Sequence, residues 1–179
     1  SDFHDTHTMP VSQIITRCLL CAAVWLACNP GQLYAASSPD TRQPVPLYDN
    51  LGTLHHPITT TSDQAQRYFD QGLRLVYAFN HEEAVQAFEE AARLDPTAAM
   101  AYWGIALALG PNINAAMDKQ QERRAMEALN TARTHSARLT EAERGYIEAL
   151  SKRYLSKGKS RATLDKAYAD AMRTLWREF

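Results

Sequence analysis

The fold is decided by residues 65–98, AQRYFDQGLRLVYAFNHEEAVQAFEEAARLDPTA. Apolar and small residues recur at three- and four-residue spacing on both sides of Asn80, which is the periodicity of two helices. Asn80 and Glu83 supply a helix-start signal, and Asp95-Pro96 ends the second helix. The stretch therefore predicts two antiparallel helices joined by a very short turn.

Further helix signals follow along the chain. Thr61 with Gln64, and Thr140 with Glu143, have the spacing of capping boxes, and Gly110 begins a Gly-Pro stop. The predicted helices run from about 61 to 79, 80 to 95, 98 to 109, 118 to 134, 140 to 155 and 160 to the chain end. No stretch alternates as a strand, so the predicted fold class is all-α, with three helix pairs over residues 61–179.

An internal repeat organises these helices. Tyr68 and Tyr102 are 34 residues apart, and the same spacing separates Gly72 from Ala106 and Leu75 from Leu109. The second helix of each pair contributes a further apolar set, Ala84, Phe88 and Ala91 and then Ala125, Leu129 and Ala132. A weaker third copy contains Tyr146, Leu150, Ala167 and Ala171. Repeats of this length indicate helix pairs that stack on one another.

These residues resemble the tetratricopeptide repeat (TPR) family, most closely over residues 65–98. The stretches HHPITT (55–60), YFDQGLRLVYAFNHEEA (68–84) and AMAYWGIALALGPNIN (99–114) are similar to a group of secreted bacterial TPR proteins. The resemblance implies a right-handed solenoid of about three helix pairs whose concave face binds proteins or peptides. Those relatives are longer, so we expect the repeat domain to be truncated at its C-terminus and Met172, Leu175, Trp176 and Phe179 to be exposed.

The N-terminal region, residues 1–36, has the pattern of upstream residues followed by a signal peptide. A short segment with one positive charge precedes the apolar run CLLCAAVWLA (18–27), and Ala35-Ala36 offers a cleavage site. The run is too short to span a membrane. We therefore expect export to the periplasm or the extracellular space. All three cysteines lie in this segment, so the expected mature chain has none.

Residues 37–60 are predicted to form a proline-containing linker before the repeat domain. The linker ends in His55-His56-Pro57. Adjacent side chains on a regular element point to different faces, so this histidine pair is a poor metal chelate. We interpret it as a structural or solvated pair.

Composition and motifs argue against several classes of function. The net charge is -1, which does not favour a nucleic-acid binder. The sequence has no P-loop, GxSxG, GxGxxG or HExxH pattern, so we expect no enzyme activity, cofactor or metal. The favoured hypothesis is a protein–protein interaction scaffold with a protein or peptide partner.

A second apolar stripe on the first helix of each pair is the candidate partner-binding surface. A helix that is apolar on two sides is either buried on both or keeps one for a ligand. The candidate residues are Phe69, Leu73, Val76, Met100, Trp103 and Leu107, with Trp103 as the central anchor. The alternative is that the linker folds back and fills the groove with Leu47, Tyr48, Leu51 and Leu54.

An alternative function is a small-ligand or metal site around the GPNIN loop (110–114). His81, Asn112, Asn114 and Trp103 would form it if the fold brings them together. The competing interpretation is that the asparagines shape a turn through side-chain bonds to the backbone. A basic cluster (Lys152, Arg153, Lys157, Lys159 and Arg161) is interpreted as a solvated loop rather than a patch for an acidic partner.

Overall fold

The structure, a computed structural model, describes residues 44–154 and 158–179. The predicted signal peptide, its three cysteines and the first residues of the linker lie outside the described residues. Residues 43–179 form one compact unit.

The described chain is all-helical, as the periodicity predicts. Its α-helices are α1 (Asp63–Tyr77), α2 (His81–Leu94), α3 (Ala99–Leu109), α4 (Lys119–Thr134), α5 (Glu141–Ser151) and α6 (Arg161–Glu178), and a 3-10 turn, Ser136–Arg138, precedes α5. Residues 44–154 and 158–179 contain no strand. The largest difference from the predicted bounds is in α5, which ends at Ser151 instead of near Leu155.

Side-chain caps fix where the helices begin. At the start of α4, the Asp118 carboxylate accepts from backbone amides, and Gln121 completes a capping box. At the start of α5, the Thr140 hydroxyl accepts from a backbone amide, and Glu143 completes a second box. At α1 the predicted box is wrong by one residue, because Ser62 is the N-cap and its hydroxyl accepts from the Ala65 amide. Thr61 is not the cap and bonds elsewhere, as described below.

The helices pack in chain order, with α1 against α2, α2 against α3, and α3 against α4, while α5 packs against α6. The first helices of the three pairs also touch, α1 with α3 and α3 with α5. Helix α3 (AMAYWGIALAL) therefore has neighbours on several sides, which explains why nearly every residue in it is apolar. The first helices together form one side of the domain.

Two glycines allow α1 and α3 to approach α2 closely. Gly72 of α1 and Gly104 of α3 both lie against the Phe88 ring of α2, and a Cβ at either position would overlap that ring. Phe88 is fully buried. The predicted role of Gly72 at the contact between the first two helices is therefore confirmed. Gly145 has a similar role, because it lies against the Leu175 side chain between α5 and α6.

Two expectations about apolar side chains are wrong in part. Phe79 does not join the stripe that meets α2, because the turn after α1 places it at φ 60° with its ring exposed. At the C-terminal helix, Trp176 and Phe179 are exposed as expected, but Leu175 is buried against Gly145 and Met172 is partly buried.

Candidate functional site

An extended segment of the chain covers the side of the domain formed by the first helices. This covering segment, residues 44–61, forms neither helix nor strand, so its backbone groups have no ladder partners. Side chains of the helices bond those groups instead. The helices thus hold an extended segment of their own chain.

Two glutamines of α1 each clamp the main chain of the covering segment. Gln71 donates from Nε2 to the Pro46 carbonyl and accepts at Oε1 from the Tyr48 amide, both at 2.8 Å. Gln66 donates to the His56 carbonyl and accepts from the Ile58 amide, both at 2.9 Å. The side-chain amide of each glutamine therefore bonds one backbone carbonyl and one backbone N–H, two residues apart in the segment, whatever side chains those residues have. Gln71 is only 2% exposed, so this bonding is buried.

Three other side chains of α1 hold the same segment. The buried Asp70 accepts from the His56 amide at 3.0 Å, and its second oxygen lies 2.7 Å from Nδ1 of His55. Arg74 donates from Nε and Nη2 to the Leu54 carbonyl at 2.9 and 2.6 Å. Tyr68 donates to the Val45 carbonyl at 2.7 Å. The contacts of α1 thus follow the segment from residue 45 to residue 58.

Two buried carboxylates bind the threonines at the end of the segment. Glu143 of α5 accepts from both the amide and the hydroxyl of Thr59, each at 2.6 Å. Asp95, at the end of α2, accepts from the Thr60 hydroxyl at 2.5 Å and from the Thr61 amide at 3.2 Å. The two hydroxyls therefore donate to two different carboxylates.

The hydrogen bonds keep these carboxylates ionised despite their burial. Burial by itself would raise the pKa of Asp95, but the bonds donated by Thr60, Thr97 and Thr61 outweigh it and lower that pKa to about 2. At Glu143, burial opposes ionisation in the same way, and the bonds from Thr59 and Thr140 lower its pKa.

An aromatic cluster lies beneath His56. The cluster, called here the three-ring cage, consists of Phe69 from α1, Trp103 from α3 and Tyr146 from α5. The ring centroid of Trp103 lies 6.5 Å from that of Phe69 and 5.8 Å from that of Tyr146. The His56 imidazole packs on the cage, 6.1 Å from Phe69 and 5.9 Å from Tyr146 in an edge-on arrangement. The indole N–H of Trp103 donates to the Tyr146 carbonyl at 3.2 Å, which fixes the indole.

The expectation that the second apolar stripe forms an open groove is not met. Phe69, Leu73, Met100 and Trp103 are buried, and Val76 and Leu107 are partly buried against the same core. The alternative interpretation describes the structure better, because Leu51 and Ile58 of the covering segment pack against that core. Tyr48 and Leu54 remain 39% and 41% exposed, so the segment buries these apolar side chains only in part. Trp103 is a core residue beneath the segment and not a free anchor.

The cavity beside the GPNIN loop contains only some residues of the alternative ligand site. Asn112 accepts at Oδ1 from the Asn114 and Ala115 amides, so it shapes its own loop. The cavity beside this loop is lined by residues 111–117 with Arg161 and Asp165, and neither His81 nor Trp103 lines it. His81 contacts the Phe79 ring in the turn after α1. The alternative ligand site therefore does not form in this cavity.

The basic cluster is partly structural. Arg153 donates to the Pro111 carbonyl, pairs with Asp165 and lies over the Tyr168 ring. Arg161 pairs with the same Asp165 carboxylate. Lys157 lies outside the described residues. These guanidinium groups tie α6 to the preceding turn and loop, so the expectation of a solvated loop is wrong for Arg153 and Arg161, whereas Lys152 and Lys159 are exposed.

The site predicted from the sequence does not include the polar residues that hold the covering segment. These are Gln66, Asp70, Gln71, Asp95 and Glu143. Some of them carried a weak signal. Gln66, Asp70 and Gln71 are polar residues beside the apolar stripe of α1, where solvated residues are not expected. Glu143 was identified only as part of a capping box. Their shared function depends on distant backbone groups that no side-chain pattern reveals.

In residues 44–154 and 158–179, no group of three or more His, Cys, Asp or Glu side chains is placed to hold a metal ion. Within the same residues, none of the helices has both the length and the apolar character needed to cross a membrane. No protein-family model, curated protein or solved structure matches the chain.

Proposed function

We propose that residues 61–179 form a TPR-like, right-handed solenoid of helix pairs and that the chain is a protein-interaction scaffold. Its ligand is an extended peptide or protein segment bound along the first helices of the pairs. The order of helix contacts supports the solenoid, since α3 touches both α1 and α5 and each of the three first helices also touches its own partner.

The observation that carries the proposal is the clamp formed by Gln66 and Gln71. These two side chains bond the main chain of an extended segment at two places ten residues apart, from His56 back to Pro46. A surface that bonds main-chain groups accepts extended peptides generally, and its pockets add selectivity. In this structure the chain's own covering segment is the occupant.

An external ligand must therefore compete with the covering segment. The apparent dissociation constant of such a ligand equals its intrinsic constant divided by the fraction of chains with an open groove. A change that weakens the covering segment, while leaving the groove intact, must tighten binding of an external peptide by the same factor. This relation provides the test.

The test uses a labelled synthetic peptide of residues 44–61 and fluorescence anisotropy with the full chain. Thr59→Val removes a hydroxyl that donates to the buried Glu143, so we expect about tenfold tighter peptide binding than to the wild type. Thr53→Val is the matched control, since Thr53 is exposed, and its affinity should equal that of the wild type.

A groove-side variant completes the design. Gln66→Ala combined with Gln71→Ala removes both clamps and should weaken peptide binding to the extent that the groove of the Thr59→Val chain is already open, because the same change also releases the covering segment. Circular dichroism checks that each variant remains helical. Absence of peptide binding to folded Thr59→Val chains at millimolar peptide would overturn the proposed function.

A further inference from the structure

The groove contains two subsites that contact side chains of the covering segment as well as its main chain. The first is the three-ring cage beneath His56. One ring comes from each first helix of the three pairs, and the Trp103 indole is fixed by its bond to the Tyr146 carbonyl. An edge-on ring contact of this kind favours a planar ring over an aliphatic side chain of similar size.

The second subsite is the carboxylate pair, Glu143 and Asp95. Glu143 accepts both donors of Thr59, and Asp95 accepts the hydroxyl of Thr60. Both carboxylates are buried, so a segment without these hydroxyls would leave charged acceptors with fewer bonds. This subsite therefore favours serine or threonine at two successive positions.

The two positions between the subsites differ in how many kinds of side chain they can accept. Pro57 is exposed, so its position is open to other side chains. Ile58 packs against the core, and its amide is held by Gln66. The spacing between the cage and the carboxylate pair is thus fixed by main-chain bonds to Gln66.

Resting on the proposed function, we propose that the groove selects a partner segment of defined pattern. The pattern is a planar-ring residue, any residue, an apolar residue and then two hydroxyl residues, in the places of His56, Pro57, Ile58, Thr59 and Thr60. The ligand class is therefore an extended segment of a partner protein that carries this pattern and ends in a Ser or Thr pair.

A partner protein is favoured over a second copy of this chain by the geometry of the segment. Ile58 and Gln66 are only eight residues apart, so each chain closes its own groove at high local concentration. A second copy offers the same contacts without that advantage. A partner can offer better contacts, because the cage holds an imidazole where a phenyl ring would bury more apolar surface, and Tyr48 and Leu54 remain 39% and 41% exposed.

The experiment measures competition by unlabelled variants of the 44–61 peptide against the labelled one on the full-length Thr59→Val chain. His56→Ala and Thr59→Val peptides should each bind about tenfold more weakly than the parent peptide. His56→Phe should bind at least as tightly, Thr59→Ser should be within about threefold, and the Thr53→Val peptide is the neutral control.

A matched change in the groove isolates the hydroxyl subsite. In a chain that also carries Glu143→Gln, the penalty for the Thr59→Val peptide should fall, because the charged acceptor is gone. If that chain does not fold, Asp95→Asn with the Thr60→Val peptide serves the same purpose.

The outcomes separate the two proposals. Equal binding of all peptides would overturn the selectivity while leaving the peptide-binding function intact, whereas no binding of any peptide would overturn both. A wild-type chain that light scattering shows to be a dimer with exchanged covering segments would assign the groove to a second copy and overturn the partner assignment.

Discussion

Gly72 lies so close to the Phe88 ring that a Cβ at position 72 would stand 2.6 Å from Cε1 of that ring. The ring cannot withdraw easily, because Gly104 of α3 lies against it as well and Phe88 is fully buried. One ring of α2 thus sets the separation of three helices. The absence of a side chain at residue 72 is a packing requirement.

We predict that Gly72→Ala destabilises the domain despite the higher helix propensity of alanine. Overpacking of a buried contact costs about 1–3 kcal/mol, which exceeds the gain of about 1 kcal/mol from propensity. Gly72→Leu should cost more. Urea denaturation monitored by circular dichroism measures the free energy of unfolding, and Arg67→Ala, at an exposed position of α1, is the control. An unchanged unfolding midpoint for Gly72→Ala would contradict the packing described here.

The bond between Thr59 and Glu143 joins residues 84 positions apart, so it should couple the covering segment to α5. We predict that Thr59→Val and Glu143→Gln each lower stability by about 1–3 kcal/mol. In a double-mutant cycle their effects should be non-additive by about 0.5–3 kcal/mol, because the pair shares one interaction. Thr53→Val with Glu141→Gln, both at exposed positions, should show additive and small effects. Additivity in the first cycle would mean that the bond contributes nothing to folding.

The helices were predictable because their signals are local. The apolar periodicity of residues 65–98, the stop at Gly110 and the capping box at Thr140 each depend on residues within one or two helical turns. Phe79 shows the limit of such patterns. Its spacing continues the apolar stripe, yet the backbone reverses at that residue, and a bulky side chain at positive φ is not expected from sequence.

The candidate site was only half predictable, for a different physical reason. The apolar stripe containing Phe69 and Trp103 was identified, but its periodicity is the same whether a partner or the chain itself covers it. The clamps of Gln66 and Gln71 bind main-chain carbonyls and amides, which every residue has. A side-chain pattern therefore cannot show where they bind.

Truncation of the two tryptophans in the described part of the chain should change the stability of the domain by very different amounts. Trp103 is 7% exposed within the three-ring cage, whereas Trp176 of α6 is 81% exposed. We predict that Trp103→Ala lowers stability by about 3–5 kcal/mol, while Trp176→Ala changes it by no more than about 0.5 kcal/mol. Trp103→Phe keeps an aromatic ring and should have an intermediate effect. Thermal melts at matched concentration compare the variants. A stable Trp103→Ala domain would mean that the covering segment leaves the cage open.

Acidification should weaken the domain through Asp95. Its hydrogen bonds lower its pKa from 3.8 to about 2, so the folded state favours the ionised form more than the unfolded state does. A depressed carboxyl pKa gives stability that is fully present above about pH 4 and is lost as the pH falls toward 2. The difference is worth about 2 kcal/mol. Glu143, whose pKa is also lowered, changes stability in the same direction.

Urea denaturation at a series of pH values from 6 down to about 2.5 measures this loss. Asp95→Asn should be less stable than the wild type near neutral pH, and its stability should fall less steeply below pH 4, because the titrating group is absent. Asp63→Asn, at an exposed position in the first turn of α1, is the matched control and should retain most of the wild-type pH dependence. If the wild type and Asp95→Asn lose stability in parallel on acidification, the bonds from Thr60, Thr61 and Thr97 do not hold an ionised carboxylate, and the threonine end of the covering segment is held by something else.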